Sequence, residues 1–140
     1  RNEKIKLFLF IKTTNMMNPV VWFEIYVNDM NRAISFYETV LAKKLEAMPA
    51  PEGFDGEMYA FPSDQNGGGA SGALVKMECY KPSGMGTIVY FGSEDCAVEL
   101  SRVEQAGGKI IDNKTSIGAY GFIGLVSDTE GNTIGFHSMQ

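Results

Sequence analysis

The chain has 140 residues, of which 44% are hydrophobic, so it can fill one core of ordinary size and not two. Its formal charge of -5, with Lys and Arg scattered along the chain, excludes the basic stripe that supplies most nucleic-acid affinity. Its 16 Gly, 9 Phe and 6 Tyr predict a turn-rich globular fold with aromatic strands.

The N-terminal segment contains a short apolar run, residues 5–11, flanked by lysines. The run is far below the roughly 20 residues that span a bilayer and lacks the cleavage site of a secretory signal, so no membrane segment is expected. We take residues 1–15 as an extension or linker, which leaves open a link to a regulatory domain, and expect one domain over 16–140. Cys79 and Cys96 form no disulfide framework or metal-binding spacing, which favours a cytoplasmic location and leaves one optional disulfide open.

The first half of the domain begins with a run of β-branched and aromatic residues, 20–27, that predicts a strand. Alternation along this strand places Trp22, Glu24 and Tyr26 on one face. Asp29 or Asn31 can then cap a helix that extends to about Leu41. Further strand candidates follow at 58–61 and 73–77, separated by a glycine-rich connection.

The second half repeats this order after the linker 81–86. It contains a strand at 87–91, a helix capped near Asp95, strands at 109–111 and 120–126, a turn at 128–132 and a last strand at 133–138. Superposing Asp29 on Asp95 also aligns three further identical pairs: Ser35 with Ser101, Glu38 with Glu104, and Lys43 with Lys109. The pattern predicts an α+β fold of two tandem βαβββ modules, about 19–80 and 86–138, whose mixed sheets enclose a cup.

Particular motifs in both halves resemble those of the glyoxalase/bleomycin resistance/dioxygenase superfamily, also called the vicinal oxygen chelate superfamily. The first half has Val27-Asn28-Asp29, Phe36-Tyr37 and Leu41, with Ala42 where the family usually has Gly. The second half has the segments 103–109, 117–122 and 128–135 in the expected order. The resemblance covers about residues 19–138 and implies the same two-module fold.

Many enzymes of this superfamily hold a divalent metal with His, Gln or Glu side chains that point into the cup. The resemblance places three of the usual ligand positions at Trp22, Ile88 and Gly135. None of these residues can ligate a metal through its side chain. We therefore expect no cofactor, and leave open a divalent metal held in a non-standard way.

Two residues are candidates for catalysis. His137, the only histidine, shares a strand face with Gly135 and can serve as a general base near neutral pH. Glu24 lies in an otherwise apolar strand, where a carboxylate is costly to bury unless it is paired. The plainer interpretation is that both side chains simply face water.

Five aromatic residues are candidates for ligand binding by stacking and cation–π contact. They are Trp22, Tyr26, Tyr59, Tyr90 and Tyr120. For each of them, ordinary packing in the core is the plainer interpretation.

Two functions are consistent with these residues. The leading hypothesis is a metal-independent protein that binds a small organic molecule in an aromatic cup, by sequestration or as a ligand sensor. The alternative is a glyoxalase-like lyase or isomerase that uses Glu24 or His137. The resemblance also implies a homodimer, with the cup formed within one chain or shared between two.

Overall fold

The computed structural model describes residues 20, 22–50, 52–64 and 66–140, and these form two four-stranded sheets and two α-helices. The first half contains β1 (Trp22–Tyr26), α1 (Met30–Leu41), β2 (Glu46–Ala47), β3 (Gly56–Ala60) and β4 (Ser71–Met77). The second half contains β5 (Val89–Gly92), α2 (Cys96–Val103), β6 (Lys109–Ser116), β7 (Phe122–Ser127) and β8 (Thr133–Ser138). A 3-10 helix, Gly118–Tyr120, lies between β6 and β7.

The two sheets have the same topology. Their strand orders are β1-β4-β3-β2 and β5-β8-β7-β6, with β1/β4 and β5/β8 parallel and the other pairs antiparallel. Glu24 pairs with Ala73 in the first sheet, and Tyr90 pairs with Gly135 at the equivalent place in the second. The predicted α+β fold with mixed sheets is therefore confirmed.

Both helices begin as the sequence predicts, at aspartate N-caps. The Asp29 carboxylate accepts a hydrogen bond from the Arg32 amide, and Asp95 accepts one from the Ala97 amide. Helix α1 ends at Ala42, whose φ of 52° lies in the left-handed region that usually favours glycine.

Two predicted strand boundaries in the second half are wrong. The strand expected at 109–111 extends to Ser116, and Tyr120 belongs to the 3-10 helix, although a strand was expected from 120 to 126. Strand β6 lies at the edge of its sheet and pairs with β7 through two register shifts. An edge strand with bulges exposes polar side chains on both faces, so alternation does not reveal it.

The apolar core lies between the helices and the two sheets. Its largest fully buried side chains include Phe36, Tyr37, Leu74, Ile134 and Phe136. Ring contacts join the halves: Phe91 of β5 lies 5.4 Å from Phe61 and 6.1 Å from Phe23, measured between centroids. These ring contacts pack the two halves against each other.

The β7–β8 turn of the second half is bound to the start of α1 in the first half. The Glu130 carboxylate accepts backbone hydrogen bonds from Asn28 and Asp29 and two bonds from the Arg32 guanidinium, at 2.7 to 3.0 Å. The buried Asp128 accepts the hydroxyl of Tyr37 at 2.7 Å. These charge-assisted bonds fix how the halves meet.

Candidate functional site

An open cavity of about 1260 Å³ lies where the two sheets approach each other. Its walls include residues from β1 and β5, which are the edge strands of their sheets and are not hydrogen-bonded to each other. The lining residues used below are Trp22, Glu24, Tyr26, Ile88, Tyr90 and Asn132.

The wall formed by β1 carries a hydrogen-bonded set of three side chains. Trp22, Glu24 and Tyr26 alternate with residues that face the helices, so all three share the other face of the strand. The Trp22 Nε1–H donates to Glu24 Oε1 at 3.2 Å, and the Tyr26 hydroxyl donates to Glu24 Oε2 at 2.5 Å. Each carboxylate oxygen thus has one uncharged donor. Trp22 remains 38% exposed.

Tyr26 extends this wall by stacking on Tyr80. Their ring centroids lie 4.9 Å apart and the ring planes differ by 21°. The hydrogen bond to Glu24, followed by burial and the charge of that carboxylate, raises the pKa of Tyr26 to about 12. Tyr26 therefore remains a neutral donor at physiological pH.

The β5 wall presents Ile88 and Tyr90, of which Tyr90 is 45% exposed. The ring of Tyr90 covers Gly135 on the neighbouring strand, so a Cβ at position 135 would lie 2.4 Å from the Tyr90 Cδ1 atom. The absence of a side chain at 135 is what lets the aromatic ring lie there.

Asn132 connects the cavity walls. Its side-chain amide donates to the backbone oxygen of Tyr26 at 2.9 Å, and its oxygen accepts the Ser83 amide at 2.9 Å. From the sequence, Asn132 was expected only in a hairpin turn, and Tyr80 was not among the expected site residues. A contact between residues 106 positions apart leaves no local signal in the sequence.

The structure brings together only part of the predicted site. Trp22, Glu24, Tyr26 and Tyr90 line the cavity, whereas His137, Tyr59 and Tyr120 are not among its lining residues. His137 Nε2 lies 2.7 Å from the backbone oxygen of Tyr120, whose side chain is 77% exposed. Tyr59 is half-buried and packs against the main core. Glu24 and His137 are therefore not brought together in one cavity.

The residues at the expected metal positions do not fit a divalent ion. These positions hold Trp22, Ile88 and Gly135. An indole, an alkyl chain and a glycine supply no side-chain atom that can ligate a metal. The Trp22 ring nitrogen is a hydrogen-bond donor, and the Tyr90 ring fills the space above Gly135. Within the described part of the chain, no group of three or more His, Cys, Asp or Glu side chains is arranged to hold a metal.

A family model for the Glyoxalase/Bleomycin resistance protein/Dioxygenase superfamily matches residues 19–136. The chain belongs to this superfamily. The resemblance found in its motifs is thereby confirmed. Among curated proteins, none has a sequence similar enough to count as a relative.

Solved structures share the superfamily fold with this chain at low sequence identity. A glyoxalase I mutant from Zea mays superposes with a TM-score of 0.66 at 19% identity, covering 86% of this chain and 47% of its own. The chain thus spans about half of that plant enzyme. TnmS3, an antibiotic binding protein from Streptomyces sp. CB03234, gives a TM-score of 0.59 at 19% identity, covering 88% and 97%. A glyoxalase/bleomycin resistance protein/dioxygenase family enzyme from Burkholderia phytofirmans PsJN superposes with a TM-score of 0.63 at 13% sequence identity. The match covers 85% of this chain and 97% of that enzyme's chain.

Among the residues that the structure describes, no helix has the length and apolar character needed to cross a membrane.

Proposed function

We propose that this chain binds a small, flat organic molecule in the cavity between β1 and β5, without the divalent metal typical of its superfamily. The observation that carries the proposal is the exposed wall of Trp22, Glu24 and Tyr26, in which hydrogen bonds fix the carboxylate between two aromatic rings. Ring faces at the mouth of a large cavity are costly to leave in water and suit a planar ligand.

The second wall supports the same proposal. Tyr90 lies over Gly135 and exposes nearly half of its surface, so it can stack on a ligand that enters between the strands. The Streptomyces neighbour with this fold is an antibiotic binding protein, which is in keeping with a binding role for the fold. Each wall therefore exposes an aromatic ring, of Trp22 or of Tyr90, that a planar ligand can cover.

The test uses Trp22, the only tryptophan, as an intrinsic reporter. A panel of planar aromatic compounds is titrated while tryptophan fluorescence is recorded. We expect at least one compound to change the fluorescence saturably, and Tyr90→Ala to weaken its binding about fivefold to tenfold. Val98→Ala is the matched control, because Val98 is as exposed as Tyr90, at 45%, and does not line the cavity. Equal losses for both variants, or no saturable change, would contradict the proposal.

An enzymatic function is the second candidate. Glu24 favours it, because its carboxylate opens onto the cavity beside the hydroxyl of Tyr26 and can take a proton from a bound substrate. A glyoxalase-like lyase or isomerase of this kind would use Glu24 alone, since His137 does not line this cavity. Turnover of a bound compound that Glu24→Gln abolishes would favour the enzyme over the binding protein.

We also propose that two copies of the chain associate. Among the described residues of the second half, several large apolar side chains are exposed, including those of Ile111, Ile117 and Tyr120. A second copy of the chain would cover such a surface. Light scattering with size-exclusion chromatography tests this association independently of ligand binding. A monomer at all accessible concentrations would exclude it.

A further inference from the structure

Within the part of the chain that the structure describes, the carboxylate of Glu24 has hydrogen-bond donors but no cation beside it. Among the described residues, no Lys or Arg nitrogen lies within 4 Å of its oxygens, and the three ion pairs found there involve Glu38, Asp95 and Glu130 instead. Trp22 and Tyr26 supply one neutral donor to each oxygen. These bonds orient the carboxylate and bring no positive charge next to it.

The other charged side chains among the described lining residues do not cancel this one. These residues include three carboxylates, of Glu24, Asp64 and Glu99, and two ammonium groups, of Lys43 and Lys81. Glu99 accepts the hydroxyl of Ser93 at 2.5 Å, and Asp64 accepts the Asn66 amide, so the described hydrogen-bond donors to both carboxylates are uncharged. The described lining residues therefore carry one more carboxylate than ammonium group.

A ligand that covers Glu24 removes water from an unpaired carboxylate. This desolvation opposes the binding of a neutral guest and is larger still for an anion, whereas a cation replaces the lost water with an ion pair. The aromatic rings around Glu24 add to the same preference, because the negative face of Trp or Tyr attracts a positive group. The carboxylate and the aromatic rings therefore both favour a positively charged ligand.

From this arrangement we infer that the ligand is an organic cation, with an amine, amidinium or quaternary nitrogen attached to a flat ring. The positive group would lie against Glu24, between Trp22 and Tyr26, and the ring would stack on Tyr90. The inference rests on the proposed binding function and adds the chemical class of the ligand.

Two probes of the same shape test this class directly. In para-trimethylammoniophenol a quaternary nitrogen takes the place of the quaternary carbon of para-tert-butylphenol, so the two differ in charge. Both are titrated into the full chain, with Trp22 fluorescence and calorimetry as readouts. We expect the cation to bind about tenfold more tightly, and this advantage to shrink at high ionic strength.

Two variants assign the effect to a residue. Glu24→Gln keeps the shape of the side chain and removes its charge, so it should weaken cation binding about tenfold and change neutral binding less than about twofold. Glu57→Gln is the matched control, because Glu57 is an exposed carboxylate of the same sheet that does not line the cavity. We expect this control to leave both affinities within about twofold.

The outcomes separate this inference from the proposed function. Equal binding of both probes, with no effect of Glu24→Gln, would overturn the inference that the ligand is a cation. It would leave the proposed binding function standing. Failure of both probes and of the wider planar panel would overturn the binding function itself. Unfolding curves of each variant check that the fold is retained. We expect Glu24→Gln to fold normally, because the side chain of Glu24 is exposed.

Discussion

The hydroxyl of Tyr26 donates a hydrogen bond of 2.5 Å to Glu24 Oε2, two residues earlier on the same strand. This bond joins an aromatic ring and a carboxylate into one surface of the cavity. It also makes the charge of Glu24 measurable, because the ionisation of Tyr26 depends on it.

We predict that Tyr26 ionises with a pKa of about 12 and not near its ordinary value of 10. The hydrogen bond to Glu24 is the main cause, so Glu24→Gln should lower the pKa of Tyr26 towards 10. Because the pKa is raised in the folded state, the stability it contributes is present below pH 10 and is lost as pH rises towards 12. The difference in tyrosinate absorbance between the wild type and Tyr26→Phe isolates this group. A difference curve centred near pH 10 would contradict the bond.

The ion pair between Arg32 and Glu130 gives a second prediction. The Glu130 side chain is fully buried, so Glu130→Gln should lower the free energy of unfolding by about 2 kcal/mol at neutral pH. Burial by itself would raise the pKa of Glu130, but hydrogen bonds from Arg32, Asp29 and Asn28 outweigh it and leave the pKa below 4.5. The contribution is therefore present above about pH 4.5 and is lost as pH falls through the lowered value.

Urea unfolding at several pH values measures this effect. Lys44→Gln is the control, because Lys44 forms an equally short ion pair with Glu38 but is 86% exposed. Such surface pairs contribute little, so the control should match the wild type. If the two variants lose equal stability, or if the loss from Glu130→Gln persists undiminished in acid, this account of the turn is wrong.

The end of α1 predicts a stabilising substitution. Ala42 has a φ of 52°, the only positive φ among the described non-glycine residues. Glycine adopts this conformation without a steric cost, so Ala42→Gly should raise the free energy of unfolding by about 0.5 to 1 kcal/mol. The same change at Ala97, in the first turn of α2, should instead lower it by up to about 1 kcal/mol. A loss of stability at both positions would show that Ala42 is not strained.

The positions expected to bind a metal predict the response to metal ions. After exposure to nickel, cobalt or zinc and exhaustive desalting, elemental analysis should find far less than one metal per chain. Neither the melting temperature nor the fluorescence of Trp22 should respond to these ions, because Trp22, Ile88 and Gly135 supply no donor atoms. A stoichiometric, stabilising metal would overturn the metal-free proposal.

Local patterns in the sequence were sufficient to predict much of the fold. Alternation in β1 places Trp22, Glu24 and Tyr26 on one face. The two aspartate N-caps predict where both helices begin. The aligned halves also place Tyr90 where Glu24 lies in the first sheet. These features depend on a few neighbouring residues, which is why the sequence reveals them.

The rest of the site depends on contacts between distant residues. Alternation gave a strand face for His137 but not its distance from the cavity, and its contact with the Tyr120 backbone was not predicted. Likewise, the stacking of Tyr26 on Tyr80 and the bond from Asn132 to Tyr26 arise only when both halves are packed together. Only the folded chain shows which aromatic residues share the cavity.

The most direct test of the central claim is the nitrogen-15 spectrum of the indole group of Trp22. With one tryptophan in the chain, the spectrum contains a single indole signal, and its proton is the one donated to Glu24. If the cavity binds a planar organic molecule, titration with para-trimethylammoniophenol or with a member of the planar panel will move this signal saturably, together with the amides of β1 and β5. An indole signal that stays fixed while that probe and the planar panel are added in excess would contradict the claim.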